Sequence, residues 1–230
     1  MRLQRDFRDA HLQRELRTYG RKNGFVTKGQ QARMARWLPH IGLPREERLA
    51  TDGAPWVMEI GFGNGDFLVH MAREHPDWRL LGVEIYLPGV AKAIARLEDA
   101  GVIERCRISQ LPAQFVLEHQ LAEAALHGIV INHPDPWPKK RHHKRRLIQP
   151  EFARLLASRL APGGFLQLAT DKPDLAEWMR DILDRTEGLH NQGGPDGFVP
   201  RDADRPWTKF ERRGARAGRA SLFLEYRRVA

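Results

Sequence analysis

The chain has 230 residues, and 38 lysines and arginines against 29 aspartates and glutamates give it a formal net charge of +9. This length suits one sizeable core, and the positive charge favours a polyanionic partner, nucleic acid before a membrane surface. The sequence contains no apolar run of about 18 residues and no apolar stretch typical of a secretory signal, so neither a membrane span nor export is predicted. The single cysteine, Cys106, excludes an intramolecular disulfide and is typical of a reducing cytoplasm, where we expect a core residue rather than a nucleophile.

Residues 1–40 are predicted to form a basic, partly flexible arm with a short helix at its end, and residues 41–230 to form the main domain. Within the arm, residues 17–30 combine glycines, a tyrosine and cations, which suits contact with a phosphate backbone, although a solvated polar tail has the same composition. Thr27 is expected to cap a helix over residues 30–38 that Pro39 ends. Residues 40–55 are predicted to be a linker.

From residue 55 onward, short apolar strands alternate with amphipathic helices. The predicted strands cover residues 56–60, 79–85, 105–109, 128–132, 165–170 and 221–228. The predicted helices cover residues 66–74, 88–100, 113–121, 150–160 and 173–186, and residues 188–206 are expected to form loop with at most one short strand. This alternation predicts an α/β fold with a parallel sheet that helices cover on both faces.

A glycine-rich turn, Gly61-Phe-Gly-Asn-Gly65, joins the first strand to a helix. Glycine lets a ligand approach the backbone closely, and Glu84, at the end of the second strand, can accept the ribose hydroxyls of an adenosine cofactor. Asp66 stands where the dinucleotide fingerprint has glycine, and Glu59 would repel a phosphate. The pattern therefore favours a cationic cofactor such as S-adenosylmethionine over NAD, and a purely structural turn is the alternative.

The stretch His-Pro-Asp-Pro-Trp-Pro-Lys-Lys-Arg-His-His-Lys-Arg-Arg, from His133 to Arg146, follows an apolar strand. Its prolines predict a stiff, extended loop that presents one carboxylate, Asp135, ahead of a dense run of cations. A loop with one carboxylate followed by many cations indicates a site that binds a polyanion and uses one negatively charged group. A solvated basic run or a nuclear-localisation-like segment is the alternative.

Aromatic and imidazole groups in this stretch allow two interpretations each. Trp137 could stack on a base or anchor the loop by packing. The side chains of the neighbouring His142 and His143 point in different directions along an extended chain. The nearby acid, Asp135, is already assigned to the site in this loop, so no metal site is predicted.

Together these motifs resemble the bacterial tRNA (guanine-N7-)-methyltransferases over most of the chain. The similar segments are Tyr19-Gly-Arg, Thr27-Lys-Gly-Gln30, Glu59-Ile-Gly-Phe-Gly-Asn-Gly-Asp66, Gly82-Val-Glu84, Pro134-Asp-Pro-Trp-Pro with its basic tail to Arg146, Ala169-Thr-Asp171 and Thr208-Lys-Phe-Glu211. The resemblance implies a Rossmann-like class I methyltransferase with a mostly parallel seven-stranded sheet. It also implies S-adenosylmethionine as cofactor, tRNA as partner and guanine N7, in the variable loop, as the methylated atom.

With this resemblance the candidate site residues fall into groups. The candidate for the catalytic residue is Asp135. The cofactor-binding candidates are Glu59, Gly61, Gly63, Glu84, Ile85, Ala113 and Asn132. The substrate-binding candidates are Lys139, Asp171, Thr208, Lys209, Phe210 and Glu211. The candidates for contact with the RNA backbone are Arg21, Lys28, Lys140, Arg141, Lys144 and Arg145, together with Arg146. Four further arginines, Arg212, Arg213, Arg216 and Arg219, are expected to extend the positive surface.

Two positions depart from the family's usual pattern. Pro112 stands where the family usually has an aspartate near the adenine, and proline offers neither a carboxylate nor an N–H. His133 stands where the family usually has a hydrophobic residue. These departures leave open an RNA-binding paralogue with weak or lost methyl transfer, whereas Asp66 and the lack of a catalytic histidine–acid pattern speak against an NAD-dependent oxidoreductase.

Asp171 and the segment Thr208–Glu211 each allow a second interpretation. Asp171 could serve as the N-cap of the helix that starts at Pro173. Without the resemblance, Thr208–Glu211 would be interpreted as loop. The chain is expected to act in the cytoplasm as a monomer or homodimer, without an obligate protein partner.

Overall fold

The computed structural model describes residues 24–51, 53–194 and 196–229. Its strands are β1 Trp56–Ile60, β2 Arg79–Val83, β3 Cys106–Ser109, β4 Leu126–Asn132, β5 Leu160–Thr170, β6 Leu189–Asn191 and β7 Leu222–Arg228. They form one seven-stranded sheet of order β3-β2-β1-β4-β5-β7-β6. The pairs β2–β3 and β4–β5 are parallel, whereas β7 runs antiparallel to both β5 and β6. The predicted α/β class with a mostly parallel seven-stranded sheet is confirmed.

Helices alternate with these strands as the sequence predicts. They are α1 Lys28–Ile41, α2 Asp66–Glu74, α3 Leu87–Asp99, α4 Ala113–Phe115, α5 Pro150–Arg159, α6 Pro173–Leu183 and α7 Lys209–Arg216. The short α4 continues as a π-helix over Val116–Gln120, and 3₁₀ turns cover Ile103–Arg105 and Lys140–Arg145. A proline lies in the first turn of α3, α5 and α6, where its missing N–H would have had no helical acceptor. No helix among the described residues is long and apolar enough to cross a membrane.

Helix α1 extends past the end that the sequence predicted. Thr27 caps it in a reciprocal capping box with Gln30, as expected for that pair. Pro39 lies inside its last turn and does not end it, because the helix continues for two more residues to Ile41. The Gly42 N–H donates to the Leu38 carbonyl at 2.9 Å and closes the helix instead.

The chain divides into two compact units by its contacts. The first contains the described part of Met1–Ala54 together with Glu59–Leu121. The second contains Pro55–Met58 and the described part of Ala122–Ala230.

In the first unit, α1 and α2 both pack against α3. Arg33 of α1 forms an ion pair of 2.7 Å with Asp99 at the end of α3. The segment after α1 is also packed, because the Leu43 N–H donates to the Ile108 carbonyl at 2.9 Å and both Leu43 and Leu49 are buried. The prediction of a linker over residues 40–55 was therefore wrong for its described part.

In the second unit, both α5 and α6 pack against β5, and α6 also packs against β7. The side chains of Ile129 and Ile131 in β4 and of Leu166 and Leu168 in β5 are almost completely buried. These residues occupy neighbouring register positions in the parallel β4–β5 pair, whose last ladder position joins Asn132 to Ala169. The carboxyl ends of β4 and β5 thus bring the segments after residues 132 and 170 next to each other.

Candidate functional site

The glycine turn after β1 leaves open space at its surface. Gly61, Gly63 and Gly65 all have positive φ, at 74°, 56° and 80°. A Cβ atom on Gly65 would lie 2.6 Å from the Ala93 Cβ of α3, so close helix packing requires glycine there. A Cβ atom on Gly61 or Gly63 would meet no described atom within 4 Å beyond its chain neighbours. The turn therefore has room for a ligand at the two glycines that the sequence assigned to a cofactor.

Two carboxylates accompany this turn within the first unit. Glu59, in β1, is only 1% exposed. Glu84 follows β2, and its two oxygens accept backbone hydrogen bonds from Gly63 at 3.0 Å and from Tyr86 at 2.8 Å. A carboxylate oxygen has two lone pairs, so it can accept from a hydroxyl group as well as from a backbone N–H. Two acids beside an open glycine turn suit a ligand with ribose hydroxyls and positive charge, which is the chemistry of S-adenosylmethionine.

Asp66, the residue that departs from the dinucleotide fingerprint, pairs with Arg96 of α3. Arg96 also donates to the Asn64 carbonyl at 3.0 Å, so the first turn of α2 is fastened to α3. The two other cofactor candidates of this unit, Ile85 after β2 and Ala113 at the start of α4, are half-buried. Pro112 lies directly before α4, where its carbonyl accepts from the Val116 N–H at 3.1 Å.

In the second unit, the proline-rich loop begins directly at the carboxyl end of β4. The His133 N–H donates to the Ala169 carbonyl at 2.7 Å, one residue beyond the β4–β5 ladder. His133 itself has a positive φ of 49°, and the chain then turns into the loop. Asp135, the predicted catalytic residue, is exposed in this loop.

Trp137 packs against other side chains of the same segment. Its φ is 41°, the Arg145 guanidinium lies 4.9 Å from its ring centroid, and the His142 ring meets it edge-on at 5.8 Å. Partial desolvation and then the surrounding cations, Arg145 first, lower the pKa of His142. These contacts favour the anchoring role of Trp137 over base stacking, and they engage Arg145 as well.

The cations of the basic run differ in their exposure. Those that face solvent are Lys139, Lys140, Arg141 and Lys144. Arg146 is 2% exposed, donates to the Pro136 carbonyl at 3.0 Å and pairs with Asp174 of α6. The prediction that Arg146 contacts RNA was therefore wrong, because its guanidinium ties the loop to α6. Lys28 is exposed at the start of α1, and Arg21 lies outside the described residues.

Asp171 lies just after β5 among three basic groups. Its Oδ2 accepts a hydrogen bond of 2.7 Å from Arg219 Nε and lies 3.7 Å from Lys172 Nζ, and its Oδ1 lies 4.0 Å from His133 Nδ1. Burial alone would raise the pKa of Asp171, but the Arg219 hydrogen bond and the charges of Lys172 and Arg219 lower it below its ordinary value. Asp171 is therefore ionised at neutral pH.

The alternative role for Asp171, as a helix cap, was wrong. Lys172 occupies the N-cap position of α6, and no side chain caps this helix end. Arg219, which was expected only to extend the positive surface, was also misassigned, because its guanidinium is paired with Asp171.

His133 is buried between charged groups and one aromatic ring. Its side chain is 4% exposed, and neither ring nitrogen has a hydrogen-bond partner among the described residues. Phe210 stacks on the imidazole at 5.9 Å with an interplanar angle of 25°. Burial, with a smaller contribution from Arg205, lowers the pKa of His133 despite the opposing charges of Glu211 and Asp171. A neutral imidazole therefore adjoins the ionised Asp171 at neutral pH.

Thr208 and Glu211 form a capping box that starts α7. The Thr208 Oγ1 accepts from the Glu211 N–H at 3.1 Å, and Glu211 Oε2 accepts from the Thr208 N–H at 2.8 Å. Glu211 is 2% exposed and also lies 3.4 Å from Arg201 Nε. The interpretation of this segment as loop was wrong, although the Thr-x-x-Glu spacing is a sequence signal for a helix start. Lys209 and Phe210 are exposed, so within this segment they are the residues open to a substrate.

Arg205 is a residue of this region that the sequence did not single out. Its Nη2 donates to Asn132 Oδ1 at the end of β4, and its guanidinium lies 5.2 Å from the Phe223 ring centroid. The side chain of Asn132, a cofactor candidate, is thus engaged within the second unit. Among the described residues, no group of three or more His, Cys, Asp or Glu could hold a metal ion.

Comparisons with known proteins show what this chain is similar to. A family model described as "Putative methyltransferase" matches residues 53–224. The chain is 44% identical to the tRNA (guanine-N(7)-)-methyltransferase of Alkalilimnicola ehrlichii over 223 residues, which cover 94% of this chain and 93% of the relative. It is 38% identical to the protein of the same name from Vibrio cholerae over 229 residues, which cover 96% and 95% of the two chains.

Solved structures share the fold at much lower sequence identity. A SAM-dependent O-methyltransferase from Thermotoga maritima matches with a TM-score of 0.51 at 14% identity, covering 91% of this chain and 68% of the other. A geranyl diphosphate C-methyltransferase from Streptomyces coelicolor also matches with a TM-score of 0.51 at 14% identity, covering 86% and 76%. These likenesses show the class I methyltransferase fold.

Proposed function

Because the chain belongs to the tRNA (guanine-N7-)-methyltransferase family, we propose that it transfers the methyl group of S-adenosylmethionine to guanine N7 in the variable loop of tRNA. The observation that carries this proposal is the junction of β4 and β5, where the loop of Asp135 starts beside the ionised Asp171. Open α/β sheets bind ligands at the carboxyl ends of their strands. Two acids at such an end suit a base that becomes positively charged.

S-adenosylmethionine, when bound, supplies a methyl group on a positively charged sulfur. Glu59 and Glu84 would hold its charged and hydroxyl groups, and the open surface of Gly61 and Gly63 would admit it. Ile85, Ala113 and Asn132 are the remaining predicted cofactor contacts.

Guanine N7 carries a lone pair and no proton, so the reaction needs no strong base. The protein's main task is to align N7 with the methyl carbon and sulfur, which can lower a barrier by about 7 kcal/mol or more. Asp135 would accept hydrogen bonds from the guanine N1–H and 2-amino groups and stabilise the positive charge that develops on the purine. Asp171, ionised beside Arg219, would share this role.

The exposed cations bring the guanine to the site as part of an RNA. Lys139, Lys140, Arg141 and Lys144 face solvent next to the Asp135 loop. Cations in such positions bind phosphates, and these contacts set affinity and register rather than sequence preference. Lys28 and Arg21 would extend the same role to the N-terminal arm, which we propose covers residues 1–40. Our proposal includes a cytoplasmic enzyme that acts as a monomer or homodimer, and light scattering with and without tRNA tests the oligomeric state.

The experiment that tests this function is methylation of an unmodified tRNA transcript with S-adenosylmethionine, followed by borohydride reduction and aniline cleavage at 7-methylguanine. We expect one cleavage position in the variable loop, and none in a matched transcript that carries 7-deazaguanine at that position. A protein that binds the transcript but produces no cleavage would instead be an RNA-binding paralogue. Calorimetry with S-adenosylhomocysteine and NADH separates the methyltransferase from an oxidoreductase.

A further inference from the structure

Trp207 presents an exposed indole directly before α7. The residue is 48% exposed, and it has no place in the site described above. The Arg201 guanidinium lies 4.7 Å from its ring centroid and supports one face of the indole. Large apolar side chains are usually buried, and an exposed aromatic ring with one supported face is suited to stacking.

The supporting guanidinium is itself fixed by three oxygen atoms. Arg201 Nη1 donates to the Asp202 carbonyl at 2.9 Å, Nη2 donates to the Arg205 carbonyl, and Nε lies 3.4 Å from Glu211 Oε1. Because Glu211 also belongs to the capping box of α7, the position of Arg201 is coupled to the start of that helix. The planar guanidinium therefore supports one face of the Trp207 indole rigidly. Arg201 has little conformational freedom left to lose when a ligand binds.

The helix that follows Trp207 in the chain is strongly positive. The exposed cations of α7 are Lys209, Arg212, Arg213 and Arg216. Of the three acids between residues 201 and 219, Glu211 is buried and paired, and Asp202 and Asp204 belong to the preceding loop. Asp202 Oδ1 accepts the Asp204 N–H at 3.0 Å within that loop. An aromatic face among cations matches a strand of nucleic acid, in which flat bases alternate with phosphates.

We propose that Trp207 is a stacking platform for an unpaired nucleobase of the tRNA substrate, a base other than the guanine that receives the methyl group. The base lies on the exposed face of the indole, and the cations of α7 contact the phosphates on either side. This role rests on the proposed function for the identity of the RNA. It adds substrate affinity without taking part in methyl transfer.

The test compares Trp207→Leu with Trp207→Phe in the full chain, by fluorescence anisotropy with an unmodified tRNA in the presence of S-adenosylhomocysteine. Leucine keeps apolar bulk but lacks a π face, so we expect about tenfold weaker binding, within the range for loss of one base–aromatic stack. Phenylalanine should restore most of the affinity. The salt dependence of binding should stay unchanged in Trp207→Leu, because no phosphate contact is lost. Thermal unfolding and the affinity for S-adenosylhomocysteine check that each variant is folded.

Ultraviolet crosslinking of the wild-type protein to tRNA, mapped by mass spectrometry, provides a measurement that needs no variant. A nucleotide adduct on Trp207 supports the platform, and adducts confined to other residues overturn it. Unchanged tRNA affinity in a folded Trp207→Leu variant, or a change in its oligomeric state by light scattering, also overturns it. The aniline cleavage assay on the wild-type protein reports separately on methylation, so failure of the platform and failure of the proposed function are distinguishable.

Discussion

Arg219 Nε donates a hydrogen bond of 2.7 Å to Asp171 Oδ2 and so joins the segment after α7 to the end of β5. Helix α7 comes close to Asp171 at Gly214, where a Cβ atom would lie a tight 3.2 Å from the Asp171 Cβ and Oδ2. The Asp171 side chain is 14% exposed, whereas that of Arg219 is 39% exposed. The guanidinium therefore both orients the carboxylate and helps to keep it ionised at the edge of solvent.

Replacing Arg219 should impair methyl transfer through Asp171. Arg219→Gln removes a charge-assisted hydrogen bond, and we expect about a tenfold fall in kcat/KM for tRNA, or about 1.4 kcal/mol. Arg219→Lys keeps the positive charge, so its kcat/KM should lie between the values of Arg219→Gln and the wild type. Arg154→Gln, which removes an exposed arginine of α5, is the matched control and should behave as wild type. Equal rates in Arg219→Gln and the wild type would remove Arg219 from the site.

His133 should make the stability of the protein depend on pH in the mildly acidic range. Burial lowers the pKa of His133 below its ordinary value of 6.5, so below that pH the unfolded chain binds the proton more readily than the folded protein does. The free energy of unfolding should fall as the pH drops through about 6.5, by at most about 1.4 kcal/mol per pH unit from this one group. His133→Leu should remove that slope.

Urea unfolding of wild type and His133→Leu at several pH values measures the difference in slope. His40→Gln is the matched control, because His40 is exposed in the last turn of α1, and its slope should equal that of the wild type. If His133→Leu keeps the full slope, the imidazole is not the group that titrates.

Glu211 should contribute mainly to stability. Glu211→Ala removes the cap partner of Thr208 and leaves Arg201 without its buried carboxylate, so we expect a loss of about 2–4 kcal/mol in urea unfolding. Glu211→Gln keeps an acceptor for the Thr208 N–H, so it should lower the free energy of unfolding less than Glu211→Ala does. The opposite pattern, full stability with a selective loss of tRNA binding, would make Glu211 a direct contact with the base.

Gly63 should be required for cofactor binding rather than for folding alone. Gly63→Ala places a methyl group in the open space of the turn, and we expect calorimetry to show at least about tenfold weaker binding of S-adenosylhomocysteine. Gly101→Ala is the matched control, because Gly101 also has positive φ, at 68°, and open space around it. Both variants should lose about 1–2 kcal/mol of stability. Equal cofactor affinity in the two would place the cofactor elsewhere.

The parts of the fold that local sequence determines were predictable. The prolines at the starts of α3, α5 and α6 and the glycine turn after β1 act within a few residues, and the structure has them where the sequence places them. Pro39 shows the limit of such rules, because α1 continues past it to Ile41. The Thr208–Glu211 capping box was also a local signal, but no apolar periodicity followed it to indicate a helix.

The ion pairs of the site could not be predicted in the same way. Arg146 and Asp174 are 28 residues apart, and Arg219 and Asp171 are 48 apart. Both arginines belong to basic segments whose composition indicates solvent exposure, and only the fold shows which of them meets an acid. The sequence therefore predicted that this surface is positively charged, but it did not show that Arg146 and Arg219 form ion pairs within the protein.

The most direct test of the proposed mechanism is methyl transfer by Asp135→Ala and the isosteric Asp135→Asn, measured with unmodified tRNA beside calorimetry with S-adenosylhomocysteine. Asp135 is exposed in the loop after β4, so neither change should unfold the protein. We expect methylation to be lost in both variants while the affinity for S-adenosylhomocysteine stays close to that of the wild type. Wild-type turnover in either variant would contradict the role of Asp135 in the reaction.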